Sequence, residues 1–399
     1  MTIPSFWRTF FATLRAAVLS RDTFIIFVGA VAFYLVFYAW PYGNQQIEHI
    51  PTAILDLDQS SASRRLAITI DATPAANVVV VTPNESEAMD GFKRETYPIL
   101  ITIPEGFGEA LTRGENMPIH ILGNGAFPVK ARAIQAAMAG VVQDKAKLLD
   151  QAAVYATGLP GTTVAGSYQT PPGLRVQYMW NEIGGYGNYT VPVVGPVILQ
   201  AVMLMAITMA MGGWLVAARR AAFVKAALVY PGRRGLAVYL AFFVITYLWF
   251  IYMQGFDFWI HQYGSMANPW GVLLTGALLS AAICAFGIAI TLLLGSNRWS
   301  SQAVVMISAP AVFLSGGIWP IDNLLNPVVY AFSLLIPTTP GIPALLAASQ
   351  DGALTTSLMP HLGILFAQTG GYLLLSLWLA RRLRYRENEA QRQIPSDRA

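Results

Sequence analysis

Hydrophobic and polar positions divide this chain into blocks. Apolar runs occupy Thr23–Trp40, Val191–Ala217, Leu236–Phe256, Gly271–Leu294, Ala303–Trp319 and Leu362–Ala380. At about 1.5 Å of rise per residue, each is read as a helix that crosses a bilayer. None of the six holds Asp, Glu, Lys or Arg in its central part. Ion-coupled transporters need an ionisable group at membrane depth, so any work done by these spans must be powered from elsewhere. The first run is not a signal peptide, because no small-residue cleavage site follows and Trp40-Pro41-Tyr42 reads as an interfacial end.

Between the first and second spans, Tyr42 to Tyr189 has the pattern of a soluble α/β domain. Ala53–Leu57, Val78–Val81, Ile99–Ile103 and Ile119–Leu122 read as strands. Ser60–Ile70, Glu85–Arg94, Glu105–Arg113 and the longer Lys130–Thr157 read as helices. Asn84 with Glu87 three residues on resembles a capping box. Pro104 and Gly114 bracket a helix in the usual sense. The Gly/Pro/Tyr-rich stretch 158–189 is a linker back to the membrane.

Charge sets the orientation. Fifteen of the 25 Lys and Arg lie before the first span, in the loops after spans two and four, and in the tail. The other ten lie in the soluble domain, and loops 257–270 and 320–361 carry none. The positive-inside rule then places both termini in the cytoplasm and the large domain outside. The +4 net charge is thus a topology signal rather than a sign of nucleic-acid binding. Before the first span, Phe6, Trp7, Phe10, Phe11, Leu14 and Val18 recur at helical spacing beside Arg8 and Arg15. This pattern fits an interfacial helix on the inner leaflet or a plain extension of span one.

Composition adds little chemistry. The chain has 399 residues, 55% hydrophobic and 12% charged, against roughly 25% charged in soluble domains. Its one cysteine, Cys284, excludes an intrachain disulfide, and His49, His120, His261 and His361 are scattered. Asp56 and Asp58 in ILDLDQS lack an evident third metal ligand and read as a strand-to-helix turn with Ser60 as cap. Ser60, Ser61 and Ser63 lack the glycines of a nucleophile elbow. The sequons at Asn84 and Asn188 carry no weight. No P-loop pattern occurs, so this chain is not an ATPase.

The segment after span five has its own reading. Pro310, Ser315, Gly316, Gly317 and Pro320 mark a helix break near the outer face. Residues 324–349 are too apolar for a solvated loop, yet Pro327, Pro337, Pro340 and Pro343 interrupt them. Re-entrant half-helices over 320–350 explain this, since non-helical backbone at membrane depth must be buried in protein. A loop packed on the external domain is the alternative.

Four passages then resemble the permease subunits of ATP-binding-cassette export transporters, the type-2 permeases with a large extracytoplasmic domain. They are IPTAILDLDQSSASRRLA at 50–67, YPILITIPEGFGEALTRGE at 97–115, MWNEIGGYGNYTVP at 179–192 and, most specifically, residues 301–342. Trp180-Asn181-Glu182 departs from the Tyr-Asn-Pro often found there. The resemblance implies that loop 218–235 holds a coupling helix docking on a cytosolic ATPase, with Arg219, Arg220, Lys225, Tyr230, Pro231, Arg233 and Arg234 as its contacts. The acidic residues common in that helix are missing here, and a basic loop facing lipid is the competing reading. Pro310, Ser315, Gly316, Gly317, Pro320 and Pro337 become the outer gate.

The expected architecture is therefore a mainly α membrane protein. An interfacial helix (1–21) and a first span (22–41) precede an α/β extracytoplasmic domain (42–190). A five-helix membrane domain (191–380) and a cytoplasmic tail (381–399) follow. The expected function is a dimerising permease subunit of an ATP-driven exporter of amphipathic or hydrophobic substrates in a bacterial inner membrane. ATP and Mg would sit on the ATPase partner and no cofactor on this chain. A second permease copy or paralogue, membrane lipid and a periplasmic adaptor complete the implied partners. The alternative is a non-transporting scaffold or receptor that presents the external domain, although an anchor needs neither six spans nor the broken segment. Trp249, Phe250, Phe256, Trp259 and Trp319 read as interfacial belts or as the lining of an apolar route.

Overall fold

A computed structural model describes residues 6–19, 24–40, 47–113, 115, 117–123, 130, 132–138, 140–141, 186–216, 232–261, 263, 268–294, 297–316 and 326–392. The chain opens with α1 (Phe6–Leu19), then a π-helical turn Ile25–Ala30 that runs into α2 (Val31–Ala39). Next come β1 (Ile50–Asp56), α3 (Ser61–Asp71), β2 (Ala76–Thr82), α4 (Glu85–Lys93), β3 (Ile99–Ile103), α5 (Phe107–Arg113) and β4 (His120–Gly123). The remainder is helical: α6 (Tyr186–Val216), α7 (Arg233–Ile251), α8 (Pro269–Leu294), α9 (Asn297–Phe313), α10 (Pro327–Ser333), α11 (Thr338–Ser349) and α12 (Thr355–Arg392). The chain forms two compact units, Asn44–Tyr178 and the segments on either side of it.

In the unit Asn44–Tyr178 the strands order as β2-β1-β3-β4, with β1 parallel to β2 and β3, and β4 antiparallel to β3. β1 is buried almost throughout because both faces of the sheet are covered. On one face Ile54, Ile99, Ile101 and Ile103 pack with Leu66 and Ile70 of α3 and with Ile134 and Met138. On the other, Ala53, Leu55 and Leu100 pack with Ala88 of α4 and Tyr97. Residues 132–138 are helical, and the end of the predicted helix 130–157 lies outside the described residues.

The caps form much as the sequence predicts. Ser60 Oγ accepts from the amides of Ala62 and Ser63. Asp56 Oδ1 accepts from the amides of Asp58 and Gln59, and its Oδ2 accepts from the Ser63 hydroxyl at 2.8 Å. Asp58 Oδ2 accepts from Gly108 N at 3.0 Å, tying the β1–α3 turn to α5. Both carboxylates are thus occupied by the turn, which accounts for the pair without a metal. At α4, Asn84 Oδ1 caps the Ser86 and Glu87 amides. The reciprocal bond is relayed, however: Asn84 N donates to Thr82 Oγ1, which donates to Glu87 at 2.7 Å.

The other unit is a helix bundle. Four helices are long and apolar enough to cross a membrane: Gly187–Leu215, Arg233–Ile260, Pro269–Leu294 and Thr355–Tyr385. The bent pair α10–α11 makes a fifth if it is taken as one span. Two expected spans are shorter apolar helices among the described residues, Ile25–Tyr38 and Gln302–Phe313. The core gathers Phe27, Leu199, Met203, Ile207, Phe242, Leu279, Ile283, Leu345 and Leu365. Phe242 stacks on Phe27 (centroids 6.0 Å) and on Trp214 (5.8 Å), joining the first apolar helix to α6 and α7. Helices approach closely where side chains are small: Gly276 lies under the Phe250 ring, Gly287 against Leu204 and Ile207, and Gly341 of α11 against Leu279. α1 buries Thr9, Thr13 and Ala17, packs on α7, and leaves Trp7, Phe11 and Leu19 exposed.

Several boundaries differ from the sequence reading. α6 begins at Tyr186, and α12 runs on from Ala380 to Arg392, because its Arg- and Glu-rich end is a good helix former in water. α7 continues past Phe256 through a π-helical turn (Tyr252–Asp257) to Ile260, so Asp257 lies inside a helix and is buried.

Two outcomes test this packing. Gly276→Ala would place a methyl 1.9 Å from Phe250 Cε1 and is expected to cost about 1–3 kcal/mol. Gly370→Ala, with nothing within 4 Å, is expected to be neutral or slightly stabilising; thermal unfolding in detergent compares them. In the Asn44–Tyr178 unit, the Ser60 hydroxyl, with help from the Gly108, Gly106 and Phe107 amides, holds Asp58 below its usual 3.8. A lowered carboxyl stabilises the fold above that usual value, and its contribution is lost as pH falls below it. Asp58→Asn is expected to cost about 1 kcal/mol at neutral pH and to flatten that acid limb, as read by peptic nicking across the acid range.

Candidate functional site

The sequence marks the segment after α9 as broken, and its geometry follows from prolines and caps. Pro310 sits exposed within α9, which runs one further turn through the Leu314 N to Pro310 O bond. Ser315 is buried, with its hydroxyl on Val312 O at 2.7 Å, and Gly316 closes the helix at φ +80°, a conformation suited to glycine. Gly317 and Pro320 lie outside the described residues.

α10 then starts on an Asn326 cap, whose Oδ1 accepts from Val328 N and Val329 N, with Pro327 in the first turn. The chain turns by 73° and α11 begins after Pro337. The two half-helices differ in surroundings. Pro327 to Phe332 are exposed, whereas Thr338 to Ile342 are buried and α11 packs on α8. Four of the five residues Thr338–Ile342 have no long side chain, which lets α11 sit against Leu279.

A bend inside an apolar bundle leaves backbone groups that water cannot reach. Here side chains of two other helices meet them, and a third contact runs from the hairpin to the end of α9. Gln368 of α12 donates to Leu334 O at 2.6 Å and reaches toward Ile336 O, and Tyr372, one turn on, donates to Leu335 O. Gln200 of α6, only 1% exposed, accepts from Thr338 N at 3.1 Å. Thr339 donates to Leu314 O at 3.0 Å, fixing α11 to the end of α9. The bend is therefore fastened to α6, α9 and α12 at once. Hydrogen bonds between membrane helices are worth about 0.6 kcal/mol each on average and at most about 1.7, so the hairpin is held firmly but not irreversibly. Thr338 Oγ1, Gln350 Nε2 and Gln368 Oε1 are buried without a partner among the described residues.

These fastening residues were not singled out from sequence. Gln200, Gln368 and Tyr372 are uncharged polar residues inside apolar runs, and a search for ionisable groups passes over them. The signal was there: lone glutamines in spans, beside a Pro-rich segment whose backbone needed donors and acceptors.

Of the residues expected to contact an ATPase, Arg233 and Arg234 form the first turn of α7, following Gly232 at φ +137°. Arg219, Arg220, Lys225, Tyr230 and Pro231 lie outside the described residues. Two cations at a helix N-terminus oppose the helix dipole, and no side chain caps that end. Their presence there does not serve the helix. Among the described residues no three His, Cys, Asp or Glu cluster as a metal site.

The comparisons with known proteins fit this architecture. No curated protein and no solved structure matches the chain significantly. The family model described as ABC-2 family transporter protein matches residues 21–378, nearly the whole bundle and the unit within it. The chain belongs to the ABC-2 family of transporter proteins and is a permease component of an ABC transporter that works with a partner ATPase component.

Proposed function

We propose that this permease exports an amphipathic or hydrophobic substrate across a bacterial inner membrane, as one of two copies or as a partner of a paralogue. Both termini lie in the cytoplasm and the Asn44–Tyr178 unit outside, a reading supported by the Lys and Arg distribution. That unit offers a surface for a periplasmic adaptor. ATP and Mg belong to two cytosolic ATPase subunits, which engage loop 218–235 and the Arg233–Arg234 turn. Basic residues placed against a helix dipole support a role in contacting a partner.

The observation that carries this reading is the bend between α10 and α11, held by Gln200, Thr339, Gln368 and Tyr372. A scaffold or receptor has no use for a broken helix fastened by several weak bonds. A gate does, because such bonds can be exchanged between two packings of comparable energy. ATP-driven closure of the ATPases moves the basic loop, the spans shift, and the hairpin opens or seals the outer end of the route.

One experiment tests both halves. The tagged chain is solubilised gently from its native membrane, and efflux of an amphipathic dye is measured in the same cells. An ATPase subunit is expected to co-purify with the chain and with the Gln368→Leu/Tyr372→Phe double variant alike. Efflux by the double variant is expected to fall about tenfold, as two lost interhelical bonds would bias the packings by roughly 1.4 kcal/mol. Absence of an ATPase from the wild-type eluate, or unaltered efflux, contradicts the proposal.

A further inference from the structure

The outer end of α7 holds a polar arrangement that the hairpin does not use. Asp257 is 1% exposed, at the close of the π-helical turn Tyr252–Asp257. Its one charged neighbour is His261, whose Nδ1 lies 3.1 Å from Oδ1. The same nitrogen is 3.0 Å from the Asp257 carbonyl and is aligned with it. Both carboxylate oxygens therefore lack an aligned donor among the described residues, and Thr190 Oγ1 and Gln254 Nε2 are likewise buried without a partner among them. Around them stand aromatic rings: Phe258 and Tyr263 pack with Val191 and Tyr38. The His261 ring lies 5.7 Å from Tyr263, nearly parallel at 15°.

A buried carboxylate is costly unless a cation neutralises it. The side chain that now lies against it, His261, is flat and aromatic. It pairs with Asp257 on one side and stacks on a tyrosine on the other, which is the environment that attracts a delocalised cation. Metal ions are a poorer fit, because no third carboxylate, imidazole or thiolate joins the pair among the described residues. Other titratable groups near the pair are phenols: Tyr252 on the same helix, Tyr263, and Tyr38 from the first apolar helix. π-Helical turns recur at functional sites because they supply a local change of register, and Gly255 within this one has open space about it.

We propose that Asp257 anchors a recognition site for planar organic monocations, which enter by displacing the His261 ring. The inference rests on the export reading and names the substrate class for it. On entry the ring swings aside and the cation takes its place beside the carboxylate.

The test is binding of ethidium, a planar permanent cation, to the purified full chain in lipid nanodiscs, read by fluorescence anisotropy. Nile red, planar and neutral, is the control. No ATPase is present, so the result stands apart from that of the co-purification experiment. Asp257→Asn is expected to weaken ethidium binding about 30-fold or more and to leave Nile red unchanged. His261→Gln is expected to tighten ethidium binding, since the competing ring is gone. Wild-type affinity is expected to fall as pH is lowered, because protonation neutralises the carboxylate. Equal ethidium binding by wild type and Asp257→Asn overturns the proposal. So does a loss of Nile red binding that parallels that of ethidium, or weaker ethidium binding by His261→Gln.

Discussion

A backbone that turns inside a membrane must find its hydrogen-bond partners in the protein, and the rest of this bundle is arranged around that constraint. The break falls between Ser333 and Pro337, the N-cap of α11, whereas Pro340 and Pro343 are accommodated within α11. The 73° bend that results exposes carbonyls at Leu334 and Leu335 and an amide at Thr338. Gln200, Gln368 and Tyr372 answer these groups from apolar stretches of α6 and α12. Removing Gln200 leaves the buried Thr338 amide without this partner. The same bonds join α6, α9 and α12 through a shared element, so a shift in any of the three is felt at the hairpin.

Packing and polar fastening divide the labour. Large apolar side chains and close-fitting glycines hold α8 at the centre of the bundle, against α6, α7, α11 and α12. α8 is 72% buried over its most apolar stretch, against 22% for α12, most of which the described residues leave uncovered. A core of that kind resists small deformation. A few exchangeable hydrogen bonds at the edge of it provide the place where a second arrangement costs little. The family implies a partner ATPase component, and in the proposed reading that partner supplies the energy.

Much of the fold was legible in the sequence. Short β-rich runs marked the four strands to within a few residues, and Ser60 and Asn84 were visible as caps because their side chains act locally. The Asp56–Asp58 turn could be told from a metal site by the lack of a third ligand. Features that depend on distant partners were not legible. The Thr82 relay beneath Asn84, the glutamines that meet the bend, and the Gly276 seat for Phe250 all depend on which residues meet across the fold. Asp257 escaped notice for a different reason: apolarity ends at Phe256 while the helix does not, so the residue was assigned to a loop. Of the basic cluster proposed to contact an ATPase, Arg233 and Arg234 fall on a described element, the head of α7.

The central claim is that the hairpin gates a route under the control of a separate ATPase. The most direct measurement places a spin label at the exposed Val329 of α10, after replacement of the single buried Cys284 by serine. Distances between the labels of two copies are then read by pulsed electron paramagnetic resonance. With the ATPase subunits present, a non-hydrolysable ATP analogue is expected to move the distribution to a new maximum, and without them to leave it unchanged. A distribution that ignores the nucleotide in the full complex, or shifts equally without the ATPase, would contradict the account.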